Sequence, residues 1–161
     1  MSNPSPRDTR IPFEPDLDAD TTALLRSVLQ SNAESYPLRI LYVEDSPISR
    51  EVVRTILVRE GHSVVCADDG LVGVQILATS AGSIDVVITD HEMPGVNGIG
   101  VVEYLRKIGF TGGVLVHSGT FNAALIASYE RLGVRHFLKK PTNTSELIAA
   151  VADATDTGES G

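Results

Sequence analysis

The chain has 161 residues, of which 42% are hydrophobic, enough to fill one core of ordinary size and to leave an extension, and too little for two full domains. With 13 basic and 21 acidic residues the formal net charge is −8, which argues against binding to nucleic acid or to an anionic membrane surface. The single cysteine, Cys66, excludes an internal disulfide and a CxxC metal pair, and neither a secretory apolar segment nor the roughly 20-residue apolar run of a membrane span occurs, so a soluble, cytoplasmic protein is expected.

Residues 1–15 hold Pro4, Pro6, Pro12 and Pro15 among polar neighbours, a composition that predicts a flexible tail. Leu24, Leu25, Val28 and Leu29 then recur at helical spacing behind Asp20 as N-cap, which predicts a short amphipathic helix ending before Pro37. Its stripe is expected to pack on the chain's own domain, with a homodimer or partner contact as the alternative. From Arg39 onward short apolar runs alternate with helical patterns, the signature of βα units winding a parallel sheet. Strands are predicted at 39–43, 63–67, 84–89, 114–117 and 134–138. The first helix between them opens with Ser46 as N-cap and Pro47 at the first helical position. It shows Ile48, Val52 and Ile56 as its stripe with Val53 and Leu57 beside it, and Gly61 closes it. The second begins near Asp69 and carries Leu71, Val74 and Ala78; the third begins near Asn97 and carries Ile99, Val102 and Leu105. Gly73 and Gly100 weaken these two helices on propensity alone. The fourth runs from Asn122 through Leu125, Ile126, Tyr129 and Leu132 to Gly133, and the fifth starts from an Asn143 and Glu146 capping pair ahead of Leu147, Ile148 and Val151 and frays after Asp153.

In an open parallel α/β sheet, ligands bind beyond the carboxyl ends of the strands, so strand-end residues carry the chemistry. Here these are Glu44 and Asp45 after the first strand, Asp90 after the third, Ser118 after the fourth, and Lys139, Lys140 and Pro141 after the fifth. Three carboxylates converging on one crevice repel one another unless a cation neutralises them. Mg²⁺, a hard ion that accepts carboxylate, water and phosphate oxygens together, suits such an open cluster. A lysine ammonium and a serine hydroxyl at the same rim would hold phosphoryl oxygens. Carboxylate phosphorylation follows as the expected chemistry.

The segments Leu41-Tyr42-Val43-Glu44-Asp45-Ser46, Val87 to Gly95 with Asp90 at its centre, Val114 to Gly119, and Phe137-Leu138-Lys139-Lys140-Pro141 resemble the motifs of the response-regulator receiver (CheY-like) family, over about residues 39–154. The resemblance implies a doubly wound, flavodoxin-like α/β fold with a five-stranded parallel sheet in the order 2-1-3-4-5, here with an additional N-terminal helix. Together with the composition of the two ends and the amphipathic pattern, the expected division is 1–36 as flexible tail and helix, 37–154 as the receiver domain and 155–161 as a disordered tail. Asp90 corresponds to the phosphoryl acceptor; Glu44, Asp45, Asp90 and the backbone carbonyl of Glu92 to the Mg²⁺ ligands. Lys140 corresponds to the phosphate-binding lysine, joined to Pro141 by a cis bond, with Lys139 pointing away. Ser118 and Phe137 are the switch residues, Phe137 standing where many relatives have tyrosine and therefore reporting by burial alone. The implied partners are a sensor histidine kinase or histidine phosphotransfer protein and a downstream protein target reached through the face of the fourth helix, fifth strand and fifth helix of the βα units. The expected protein is a stand-alone phosphoacceptor that catalyses its own phosphorylation and dephosphorylation without being an enzyme in the ordinary sense. The alternative is a receiver fragment of a larger hybrid kinase or multidomain regulator, which the Met1 start speaks against.

Other readings fit the residues less well. A haloacid-dehalogenase-like phosphatase needs a second aspartate two residues after its nucleophile on the first strand, whereas Glu92 holds that offset on the third. A degenerate receiver serving only as a binding module is opposed by the intact Asp45, Asp90 and Lys140. Glu92 is expected to meet Lys140 in the resting state or to influence the attacking water. His62, His91, His117 and His136 lack metal-site spacing and read as structural, with His91 placed to line the pocket because it directly follows the acceptor and not to act as a phosphorelay histidine, and Cys66 reads as core packing.

Overall fold

The computed structural model describes residues 18–31 and 36–156; the expected tail over residues 1–15 lies outside these. The chain divides into two units, Met1–Tyr36 and Pro37–Gly161. The first contains helix α1 (Ala19–Ser31). Its cap is Asp18 and not Asp20: Asp18 Oδ1 accepts from the Thr21 N–H at 2.7 Å, and this bond lowers the Asp18 pKa. Leu24 and Leu25 are exposed, and the side chains of Val28 and Leu29 lie outside the described residues.

The second unit is a doubly wound α/β sandwich. Strands β1 (Arg39–Val43), β2 (Ser63–Ala67), β3 (Val86–Thr89), β4 (Gly113–Ser118) and β5 (His136–Lys139) form one parallel sheet in the order β2-β1-β3-β4-β5. The register runs Tyr42 to Cys66 on one side of β1 and Tyr42 to Ile88 on the other, then Ile88 to Leu115 and Val116 to Phe137. Between the strands lie α2 (Pro47–Arg59), α3 (Gly70–Ser80), α4 (Gly98–Lys107), α5 (Ala123–Arg131) and, after β5, α6 (Thr144–Thr155). The alternation of side chains along each strand sorts the core into two. Ile40, Tyr42, Ile88 and Leu115 face Val53 and Leu57 of α2 and Leu147 and Val151 of α6. Leu41, Val43, Val87 and Val116 face Leu77 of α3, Val102 and Leu105 of α4, and Tyr129 of α5.

Boundaries moved where a neighbouring element claims a backbone group. β3 begins at Val86 because Ile84 closes a 3₁₀ turn over Ala81–Ser83. β5 begins at His136 because the Val134 N–H bonds Tyr129 O at the end of α5. α6 does not fray after Asp153: Ala154 is buried, and the Thr155 hydroxyl donates to Ala152 O at 2.7 Å.

Two helical faces also differ from their sequence patterns. On α2 the buried residues are Val53 and Leu57, while Ile48 and Val52 point to solvent. On α3 the buried face is Gly70, Gly73 and Leu77, and Leu71 is exposed. The glycines thus lie where the helix touches its neighbours most closely. A Cβ on Gly70 would stand 2.0 Å from Val96 O, and one on Gly73 would stand 2.9 Å from Val43 Cγ2.

Propensity and packing oppose each other at Gly70. Alanine is the better helix former by about 1 kcal/mol, but at Gly70 its methyl would overlap a backbone carbonyl that can yield only by displacing the β3–α4 loop. Packing should win. Gly70→Ala is expected to lower stability by roughly 1–3 kcal/mol, seen as a lower urea midpoint with unchanged slope; a midpoint at or above wild type would show that the loop yields freely.

Candidate functional site

Each βα unit delivers a side chain to the carboxyl edge of the sheet and then turns into a capped helix. Glu44 follows β1, and its backbone N–H still belongs to the sheet, bonding Ala67 O at 3.0 Å. Asp90 follows β3, with its N–H on Val43 O at 2.9 Å. Lys140 follows β5, with its N–H on Ser118 O at 2.9 Å. These ladder bonds fix three backbones, and the crevice between them collects the charges.

Glu44, Asp45 and Asp90 each offer a carboxylate oxygen within 4.8 Å of the others, Glu44 and Asp90 buried and Asp45 exposed. The Lys140 ammonium pairs with Glu44 Oε2 and lies 3.5 Å from Asp90 Oδ2. Glu44 is otherwise fully engaged: Oε1 accepts from the Ser46 N–H at 3.1 Å and Oε2 from the Tyr42 hydroxyl at 3.0 Å. Asp90 Oδ1 accepts from the His91 N–H at 2.7 Å. Burial raises the Asp90 pKa, Glu44 adding to the rise, against the pull of Lys140 and of the His91 and Glu92 N–H groups. Three carboxylates and one ammonium leave a formal charge of −2 at the crevice, and the donors are oxygens only. Such a set fits a hard divalent cation, with Asp45 turned toward solvent where the ion would keep its waters.

The remaining expected residues fall around this cluster. The Lys140–Pro141 peptide is cis, and Lys139 is exposed. Ser118 is buried at the end of β4, its Oγ 3.3 Å from both the N–H and the carbonyl of Thr120. Phe137 is half-buried on the α5 side, edge-on to Phe121 and Tyr129. Glu92 is exposed on the β3–α4 loop; Lys140 pairs with Glu44 and Asp90, and no ion pair joins it to Glu92 among the described residues, because two closer carboxylates already hold the ammonium.

Several contacts around this site were not legible in the sequence. Arg50 Nη1 donates to the carbonyls of Glu44 and Asp45 at 2.7 and 3.0 Å, one helical turn into α2. His91 Nδ1 meets the Tyr129 hydroxyl at 2.8 Å, tying the residue after Asp90 to α5. His117 is buried, with Nε2 2.9 Å from Thr142 Oγ1 and Nδ1 3.3 Å from the Tyr42 hydroxyl. Period two along β4 could have placed His117 on the face shared with Tyr42, but its polar partners come from β1 and from the loop after β5. Cys66 is half-buried on β2, and burial raises its thiol pKa.

A sequence profile of the response regulator receiver domain matches residues 40–152. The chain belongs to the response regulator receiver family. The receiver is 32% identical over 130 residues to the sensory/regulatory protein RpfC of Xanthomonas campestris, covering 78% of this chain and 18% of RpfC. It is 37% identical over 103 residues to the regulator of RpoS of Escherichia coli, covering 64% of this chain and 30% of that protein. The receiver spans less than half the length of these curated relatives. Among solved structures, a receiver domain from Clostridium thermocellum superposes with a TM-score of 0.69 at 26% identity, covering 73% of this chain and 94% of that one. The NarL signal receiver domain of Mycobacterium tuberculosis does so with 0.68 at 28%, covering 75% and 98%. Receivers of this family are signalling domains that bind Mg²⁺ at an acidic pocket, and this receiver carries an acidic cluster of Glu44, Asp45 and Asp90. No described helix is long and apolar enough to cross a membrane.

Burial pushes the His117 pKa down to about 4, so folding favours the neutral ring. The unfolded chain, with an ordinary histidine near 6.5, binds more protons between those values. The stability that His117 contributes as a neutral group is therefore complete above about pH 6.5 and falls as pH drops toward 4. Between pH 7 and 5 wild type should lose about 2 kcal/mol more than His117→Gln in urea unfolding; equal losses would place the folded pKa near the ordinary value.

Proposed function

We propose that this receiver accepts a phosphoryl group on Asp90 in the presence of Mg²⁺, from a sensor histidine kinase or histidine phosphotransfer protein, and signals as a stand-alone switch to a downstream protein through the face formed by α5, β5 and α6. The observation that carries this reading is one cluster in which Lys140 is shared by the buried carboxylates Glu44 and Asp90 beside the exposed Asp45. Glu44, Asp45, Asp90 and the Glu92 carbonyl would hold the ion, which supplies positive charge to phosphoryl oxygens otherwise repelled by the pocket.

The side chains divide the work. Asp90 Oδ1 is occupied by the His91 N–H, which leaves Oδ2, the oxygen nearer Lys140, as the nucleophile. In the transfer, this oxygen forms a bond to phosphorus while the bond from phosphorus to the donor's imidazole nitrogen breaks, and that nitrogen keeps the electron pair. Lys140 exchanges Asp90 for a phosphoryl oxygen and stays beside Glu44. Ser118 has only two weak 3.3 Å bonds to give up in turning to the phosphoryl group. Its departure would reach Phe137, whose ring packs against Tyr129 of α5. The exposed Ile48 and Val52 on α2, beside Pro141, offer an apolar rim against which the donor's helix could rest. The greater length of the curated relatives supports a second reading, in which this receiver operates as one part of a longer sensor or regulator.

Incubation with phosphoramidate and Mg²⁺ should add a single group of about 80 Da by intact-mass analysis. Asp90→Asn and an excess of EDTA should each abolish it, and an undiminished adduct in either case would refute the assignment of the acceptor or of the ion. Ser118→Ala should remain phosphorylated but lose most of the amide shift changes on α5, β5 and α6; changes equal to wild type would remove Ser118 from the switch.

A further inference from the structure

Behind the pocket, on the α2 and α6 side of the sheet, runs a largely buried polar chain whose members beyond Glu44, namely Tyr42, His117 and Thr142, have no part in the phosphoryl chemistry. Alternation along β4 turns Ser118 toward α5 and His117 the opposite way, onto the face that Tyr42 shares. The chain runs from Lys140 to Glu44, to the Tyr42 hydroxyl, to His117 and to Thr142 on the β5–α6 loop, two residues beyond Lys140.

Hydrogen counting orients most of it. The Thr142 hydroxyl donates its one proton to Lys139 O at 2.8 Å, so toward His117 it can only accept. His117 Nε2, 2.9 Å away, must then carry the hydrogen. Burial keeps the ring neutral, so Nδ1 is bare and accepts. The Tyr42 hydroxyl therefore has one proton and two acceptors, Glu44 Oε2 at 3.0 Å and His117 Nδ1 at 3.3 Å. It is a rotor with two positions. With Glu44 pairing Lys140, the charged and nearer carboxylate takes the proton.

We infer that Tyr42, His117 and Thr142 are positioning residues for the acidic pocket: when Glu44 turns an oxygen to a divalent cation, the Tyr42 hydroxyl swings to His117 Nδ1, so that neither group is left unpaired. Thr142 holds the imidazole in the one tautomer that can receive it, and does so from the loop that carries Lys140. This rests on the phosphoacceptor reading in that the cation is the one Asp90 would use, but the rotor responds to the cation alone.

The test follows the histidine side-chain nitrogens of the full-length ¹⁵N-labelled protein during titration with Mg²⁺ and no phosphodonor. His117 should show hydrogen on Nε2 and a bare Nδ1, and Mg²⁺ should move the Nδ1 resonance toward its hydrogen-bonded position. Tyr42→Phe should bind Mg²⁺ about tenfold more weakly and show no movement at Nδ1. Thr142→Ser should behave as wild type, and Thr142→Val should lose the tautomer preference. Hydrogen on Nδ1 in wild type, or Mg²⁺ binding with Nδ1 unmoved, overturns this inference while leaving phosphorylation of Asp90 intact. Absence of Mg²⁺ binding overturns both. The wild-type spectra decide the matter even if a variant fails to fold.

Discussion

One ammonium shared by two buried carboxylates is the constraint around which this receiver is arranged. Removing Glu44 and Asp90 from water would be expensive without a counter-charge, and Lys140 supplies it from the far end of the chain. Because the three groups come from β1, β3 and β5, the pairing is made only when the four strands β1, β3, β4 and β5 stand side by side in register. The site is therefore a product of the whole fold and not of any local segment. The same cluster is left one divalent charge short of neutrality, so the resting arrangement is stable enough to fold and unfinished enough to bind.

Much of this was legible in the sequence because strand ends announce themselves. Continuous Val, Ile and Leu runs marked the buried strands, and a carboxylate or lysine standing directly after such a run has nowhere to go but the carboxyl edge. Asp90 and Lys140 were found that way, and the helix starts at Ser46 and Asn143 by their capping side chains; Asp69, Asn97 and Asn122, where apolar spacing alone placed a start, proved to be caps as well. The order β2-β1-β3-β4-β5 came from family resemblance, since periodicity is blind to which strands are neighbours.

What was hidden depended on depth and on partners distant in sequence. Ile48, Val52 and Leu71 looked like core residues on a helical wheel, yet they face outward, because the buried lines of α2 and α3 are set by how closely each helix can approach the sheet. In α3 that approach is governed by glycines that propensity reads as weaknesses. His117 looked like one more strand residue before the serine. Its importance lies in Tyr42 and Thr142, 75 and 25 residues away, and no local pattern records such a meeting. Phe137 was correctly seen to lack a hydroxyl, but that Tyr129 brings one to His91 from α5 required the packing of the two elements.

The five side-chain caps have an electrostatic consequence. In a parallel winding every helix that follows a strand starts at the carboxyl edge, so α2 to α6 all point their first turns toward the side of the sheet that holds the acidic cluster. Each helix start carries roughly half a positive elementary charge from its aligned peptide dipoles, effective over about the first turn. The caps satisfy one N–H each and leave the others directed outward. The backbone itself thus gives that edge a positive contribution that no side-chain census records, one that offsets part of the negative charge gathered there in a chain whose overall charge is −8.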